Sequence, residues 1–341
     1  MPQPEDHITT IANADRFILF PIRYPQIWEM YKKAVASFWL PEEIPLQNDV
    51  HQWQHSLSQD ERTFISRLLA FLATSDGIVA ENIIQRFSSE IEIAEIRYFY
   101  GFQTAVENIH AETYSILIET LVPDDTERTK LFRAITDVPT VAAKASWALK
   151  WISDPDSPLP IRLFAFALVE GLFFSSSFAA IFWLKSRGKM PGLCYSNDLI
   201  SRDEGLHTDF ACMLVNLLDE KLTGSAVYRM VKEAVKIECA FSPLTGYIDS
   251  LHTDLVSMNK SMMQDYIRYV ADRIITAVGF PKLYNAINPF PFMDMISLPS
   301  RTNFFEKRSS EYRLPGPTTT TSKSSLQMYA TIVTIPTNTD H

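Results

Sequence analysis

The chain has 341 residues, a net charge of −9 and 46% hydrophobic residues, enough to bury one large core or at most two. With only 10 glycines, Gly-rich phosphate loops and turn-dense all-β folds are disfavoured and a helical fold is expected. The acidic balance gives nucleic-acid binding no electrostatic support.

In chain order, residues 1–15 read as a loose arm, with neither the basic start nor the apolar run of a signal peptide. Residues 22–37 have helical periodicity, with Ile27, Met30, Tyr31 and Val35 on one side. Residues 59–87 form a long helix, opened by a capping box in which Ser58 caps and Glu61 reaches back. A second long helix covers 91–121, and shorter ones cover 126–136 and 141–153. Residues 161–187 are the most apolar helix, ended by Gly188 and Pro191. Helices over 196–218, capped by Ser196 or Asn197, over 226–239 and over 261–279 complete the set. From Asn288 the signal fades, and residues 315–341, rich in Thr, Ser and Pro, read as a disordered tail.

Residues 163–184 are long enough to span a bilayer and carry one charged side chain, Glu170. A carboxylate at mid-span is costly in lipid, and other helices here carry similar lone acids. The expectation is therefore a buried core helix and no membrane partner. Cys194, Cys212 and Cys239 are odd in number, far apart and free of any C-x-x-C, so neither a disulfide framework nor a thiolate zinc site is expected. A reducing, cytoplasmic setting is the simplest expectation.

Two of the seven histidines lie in the pattern E-x-x-H, at Glu107-Asn108-Ile109-His110 and Glu204-Gly205-Leu206-His207. Residues i and i+3 project from one helix face, so each pair offers an oxygen and an imidazole nitrogen to one point. That donor pair suits a first-row divalent metal. In four-helix dinuclear carboxylate bundles, two helices supply E-x-x-H and two supply one carboxylate each. Asp76 and Glu170 are lone acids on two other apolar helices and complete the set. One buried acid is equally well explained by a cap or an ion pair; four helices supplying the whole set are not. The oxygen-rich donors favour iron or manganese over zinc and do not separate the two. Tyr114 follows His110 by four and Glu107 by seven, on the same face, where it is either an oxidisable phenol or an ordinary core tyrosine. Phe174 and Phe178 follow Glu170 by four and eight, and with Ile200 they are candidates for a dry wall.

At these residues the sequence resembles the small, radical-harbouring subunit of class I ribonucleotide reductase, of the eukaryotic type. The likeness runs over residues 16–312, most tellingly in FPIRYPQIWEMYKKAVASFW, LAFLATSDGIVAEN, FYGFQTAVENIHAETYS, FALVEGLFFSSSFAAIFWLKSRGKMPGL, SNDLISRDEGLHTDFAC and TNFFEKR. The resemblance implies an all-α, ferritin-like four-helix core within a larger helical domain over 16–287. A segment at 288–312 then leads to a tail at 313–341 that docks on a larger catalytic subunit. It implies that Asp76, Glu107, His110, Glu170, Glu204 and His207 hold two iron ions per chain, activated by O2. It also implies that Tyr114 carries a radical and that Phe174, Phe178 and Ile200 shield it. Trp39, Asp203 and Tyr312 match the positions that pass the radical to the large subunit, which reduces ribonucleoside diphosphates for DNA precursor synthesis. A homodimer, or a heterodimer with another small subunit, is implied as well.

The sequence departs from the family pattern at four places. The chain ends IVTIPTNTDH in place of an acidic, aromatic peptide, and Leu40-Pro41 follows Trp39 in place of Thr-Ala. Ser176 stands where glycine is usual, so its side chain is expected to crowd the helix. The stretch SPLTGYIDSLHTDL, after Phe241, looks extended. Two alternatives are a ferritin-like oxidase acting on an organic substrate and a non-catalytic assembly partner of an active small subunit.

Overall fold

In the computed structural model the chain divides into two compact units, Met1–Ser297 and Leu298–His341. The structure describes residues 18–82, 87, 91–133, 139–152, 156–241 and 258–294, all in the first unit, with no side-chain description for residues 74, 76–82, 132 and 152. The expected N-terminal arm, the extension after Phe241, Tyr312 and the tail lie outside the described residues.

Among the described residues the architecture is helical. The order is α1 (Pro25–Ala36), α2 (Gln47–His55), α3 (Gln59–Asn82), α4 (Ala94–Leu121), α5 (Asp125–Phe132) and α6 (Pro139–Ile152). Then follow α7 (Leu159–Leu172), α8 (Ser175–Ser186), α9 (Pro191–Leu217), α10 (Gly224–Phe241), α11 (Lys260–Ala277) and the short α12 (Pro291–Asp294). Helix α3 packs along α4 and α7 along α9, while α4 also meets α9. Those four are the helices expected to carry the ligands.

Local chemistry sets the helix ends. The capping box at α3 is present: Ser58 N–H donates to Glu61 Oε2 at 2.8 Å and Glu61 N–H to Ser58 Oγ at 3.1 Å. Asn259 caps α11 through Met262 N–H at 3.0 Å. Helix α9 starts five residues earlier than expected, at Pro191, leaving Ser196 and Asn197 buried inside it. The reason is tertiary: buried Asp49 of α2 accepts the N–H groups of Gly192 at 2.8 Å and Leu193 at 2.7 Å. Helix α2 itself was not expected, because its composition is almost wholly polar; it is held by burying Trp53 and Asp49. Further along, Asp272 of α11 accepts the N–H groups of Leu283, Tyr284 and Ala286 at 2.8, 2.9 and 3.1 Å.

The single helix expected over 161–187 is instead two, α7 and α8, separated at Phe173 and Phe174. Phe173 N–H reaches back five residues to the Leu168 carbonyl at 3.2 Å, a widened turn. Taken through the break, Leu159–Ser186 is the one helical stretch among the described residues long and apolar enough to cross a membrane, and 94% of its apolar window is buried within the fold. Each phenylalanine or leucine it sinks, such as Phe164, Phe166 and Leu168, contributes about 2 kcal/mol of burial energy. Glu170 sits in the middle of that apolar wall.

Candidate metal centre

The two E-x-x-H turns face each other. Glu107 and His110 come from α4, Glu204 and His207 from α9, and Glu170 from α7, and all five are buried. Ligand atoms of Glu107, Glu170, Glu204 and His207 lie within 4.8 Å of one another. His207 Nδ1 is 3.0 Å from Glu107 Oε1, 3.6 Å from Glu170 Oε2 and 3.7 Å from Glu204 Oε2. His110 Nδ1 is 3.1 Å from Glu204 Oε1 and 3.5 Å from Glu107 Oε2. Five of the six expected ligands therefore meet. The sixth, Asp76, is placed by its backbone on α3, which packs along α4; its side chain lies outside the described residues.

The polar accounting at this point is incomplete without a cation. Both carboxylate oxygens of Glu107, Glu170 Oε2, Glu204 Oε2 and His207 Nδ1 are buried with no hydrogen bond, because their close approaches lack the alignment for one. A buried polar atom left so costs about 1–3 kcal/mol. Five such atoms from three helices pointing into one space are what a divalent metal pair would satisfy, and the oxygen-rich donors fit iron or manganese.

The electrostatics agree. Burial, then the fields of Glu204 and Glu107, raise the Glu170 carboxyl well above its ordinary range. Burial would raise Glu204 too, but the close approach of Glu170, His110 and His207 holds it well below. Burial works against protonation of His110 and His207, yet the surrounding carboxylates raise both well above the usual histidine value. Without metal, the two imidazoles and Glu170 hold the protons.

A second line of contacts leads outward from His110. His110 Nε2 lies 3.3 Å from Asp203 Oδ2, and Trp39 Nε1–H donates to the same oxygen at 2.7 Å. The Trp39 and His110 rings lie nearly parallel, 6.0 Å apart at 23°. Arg202 grips the other oxygen, Asp203 Oδ1, at 3.0 Å and also donates to the Ser37 carbonyl at 2.7 Å. Burial would raise Asp203, but the hydrogen bond with His110 and the Arg202 charge hold it below the usual carboxylate range. Trp39 is buried, yet its neighbours Phe38 and Leu40 are 45% and 46% exposed. Pro41, after Leu40, opens a 3-10 turn.

Tyr114 is buried one turn beyond His110 on α4. Phe174, Phe178 and Ile200 are also buried, and the Phe174 and Phe178 rings stack at 5.7 Å. Ser176 is fully buried in the first turn of α8, its N–H donating to Glu238 Oε1 at 3.2 Å. Gln103 was not anticipated: its Nε2–H donates to Glu170 Oε1 at 3.2 Å. Tyr100, fully buried, was also missed; burial and the Glu170 charge push its phenol far up. The signal for both was available, since 100, 103, 107, 110 and 114 follow alternating spacings of three and four along one helix face.

Helices whose facing carboxylates and histidines gather into one buried cluster define a ferritin-like carboxylate metalloprotein. Comparison narrows this to one family. The family model described as "Ribonucleotide reductase, small chain" matches residues 16–289, and the chain belongs to that family. The ribonucleoside-diphosphate reductase small chain of Neurospora crassa is 51% identical over 323 residues, covering 95% of this chain and 78% of that protein. Its counterpart from Nicotiana tabacum is 54% identical over 313 residues, covering 92% of this chain and 93% of that protein. Among solved structures, the ribonucleotide reductase Rnr4 homodimer from Saccharomyces cerevisiae is similar with a TM-score of 0.76 at 38% identity, covering 90% of this chain and 93% of that one. The chain is thus a ribonucleotide reductase small subunit, an oxidoreductase component with a carboxylate–histidine metal cluster.

Proposed function

We propose that Asp76, Glu107, His110, Glu170, Glu204 and His207 hold two iron ions, and that Tyr114 is the side chain oxidised and kept as a radical. When bound, the ions supply oxidising power from O2. The remaining work falls to the chain's own residues. Tyr114 is buried one turn beyond His110, out of reach of bulk water. Phe174, Phe178 and Ile200 exclude the water and reductants that would quench it. Gln103 orients Glu170 through its carboxylate hydrogen bond.

We propose that Trp39, Asp203 and His110 form the inner part of a relay to the large catalytic subunit, with Tyr312 its outer member. Asp203 is held as an anion, so it can take the indole proton of Trp39 at Oδ2 as the electron departs. The observation that carries the whole reading is the convergence of five unsatisfied buried donor atoms from α4, α7 and α9.

The test is anaerobic loading with ferrous iron followed by exposure to oxygen. Two irons per chain and a sharp tyrosyl signal by electron paramagnetic resonance are expected. Tyr114→Phe should bind the same iron and show no such signal. Wild-type protein that binds two irons and stays silent would overturn the assignment of Tyr114.

We also propose that two copies pair through an aromatic face on α1 and α4. Phe20, Trp28, Tyr31 and Tyr98 follow in ring contact, Phe102 meets Tyr31, and Phe38 meets Phe102. Phe20 is 66% exposed and Tyr98 45%, a large apolar patch to leave in water. The free thiols of Cys194, Cys212 and Cys239 suit a reducing compartment, and we place the protein in the cytoplasm.

A further inference from the structure

Lys144 of α6 and Glu238 of α10 form an ion pair at 2.6 Å, and both are almost wholly buried. The pair sits at the break between α7 and α8. Lys144 Nζ donates to the Phe173 carbonyl at 2.6 Å, and Glu238 Oε1 accepts the Ser176 N–H at 3.2 Å. The ammonium is also flanked by the Phe241 and Phe71 rings, 3.4 and 3.9 Å from their centroids. Two more groups at the break find local partners. Ser175 Oγ donates to the Leu172 carbonyl at 2.6 Å, and Phe173 N–H bonds to the Leu168 carbonyl. Each backbone group named here would have bonded along a continuous helix, and each is answered some other way.

We propose that the Lys144–Glu238 pair is a positioning device that holds this break and so sets where Glu170 and Phe174 stand relative to the metal cluster. No proline forces a break at this place. In the run from Phe166 to Trp183, Gly171 and the serines Ser175, Ser176 and Ser177 weaken the helix but do not fix where it breaks. The cation meets the carbonyl end of α7 and the anion meets the amide end of α8, as the two helix dipoles require. Glu170 lies three residues before Phe173, and Phe174 directly after it. A buried ion pair is weak evidence for stability, since apolar residues of similar size often replace one at no cost. Its partners at the broken backbone bonds argue that it fixes geometry instead.

The proposal rests on Glu170 being a metal ligand, and the experiment separates the two claims. Manganese(II) is titrated into metal-free full-length protein, with the free ion followed by electron paramagnetic resonance. The double variant Lys144→Met/Glu238→Leu should keep the wild-type melting temperature, bind manganese about tenfold more weakly, and lose its tyrosyl radical faster after iron and oxygen loading. Lys144→Arg, which keeps the charge and the pairing, should recover most of the affinity. Wild-type affinity and radical lifetime in the folded double variant would overturn the proposal. So would a failure of both variants to fold, which would assign the pair to stability alone. Wild-type protein that binds no manganese would remove the metal-site reading, and this proposal with it.

Discussion

In the proposed metal centre, protons and metal ions compete for the same atoms at His110 and His207. In the metal-free fold Asp203, Glu107 and Glu204 raise His110 well above the usual histidine value against the effect of burial, and Glu107, Glu170 and Glu204 do the same for His207. Metal binding must expel those protons, and that of Glu170, so apparent metal affinity should rise with pH. Metal-free stability should move the other way. A histidine or carboxyl whose folded pKa is raised contributes stability that is full below its unfolded pKa and lost as pH rises through the folded one. Asp203 and Glu204, held low, act oppositely and only at the acid end, where protonation removes their contribution. Thermal melts of metal-free protein from pH 6 to 9, set beside manganese titrations over the same range, should show opposite slopes; parallel slopes would contradict the proton placement. Asp203→Asn removes the anion proposed to receive the Trp39 proton. It should keep the metal and the tyrosyl signal but cut turnover with a large subunit on the order of 100-fold, read in a reductase assay. Much of this was legible in the sequence because i and i+3 share a helix face whatever the tertiary structure does. Asp203 was different: only the resemblance joined it to Trp39, because no local spacing links residues so far apart in the chain.

Helix ends are set by partners distant in the chain more than by local propensity. Gly192 shows this sharply. A Cβ there would lie 2.5 Å from the Pro45 carbonyl and 3.0 Å from Leu46. Gly192→Ala must therefore push α2 away from the start of α9 and loosen the Asp49 cap. The expected cost is about 1–3 kcal/mol, measurable as a lowered urea midpoint with an unchanged slope. The early start of α9 and the break between α7 and α8 escaped sequence reading for one reason. Asp49, Lys144 and Glu238 lie far along the chain from the backbone groups they hold, and Lys144 in α6 looks like any solvent-facing lysine. By contrast the Ser58–Glu61 box was visible, because both its partners lie within four residues.

At the scale of the molecule, the all-helical class followed from scarce glycine and from apolar spacing, and no partner was needed to see it. Surfaces were harder to anticipate, because α1 presents Trp28 and Tyr31 with the periodicity of a core face. If that aromatic strip joins two copies, Tyr98→Glu should yield monomers by sedimentation while retaining helical content. Truncation after residue 312 tests the tail. Its removal should abolish turnover with a large subunit and leave the tyrosyl signal intact, and full turnover after truncation would show the tail idle.

Asp272 adds a mechanical consequence. Its carboxylate fastens three amides between Leu283 and Ala286, just before the polypeptide runs on toward its C-terminus. Helix α11, which carries Asp272, bears none of the six ligand positions. Freeing the stretch from Leu283 to Ala286 must therefore break three bonds to one carboxylate, and Asp272→Ala should speed hydrogen exchange of those amides.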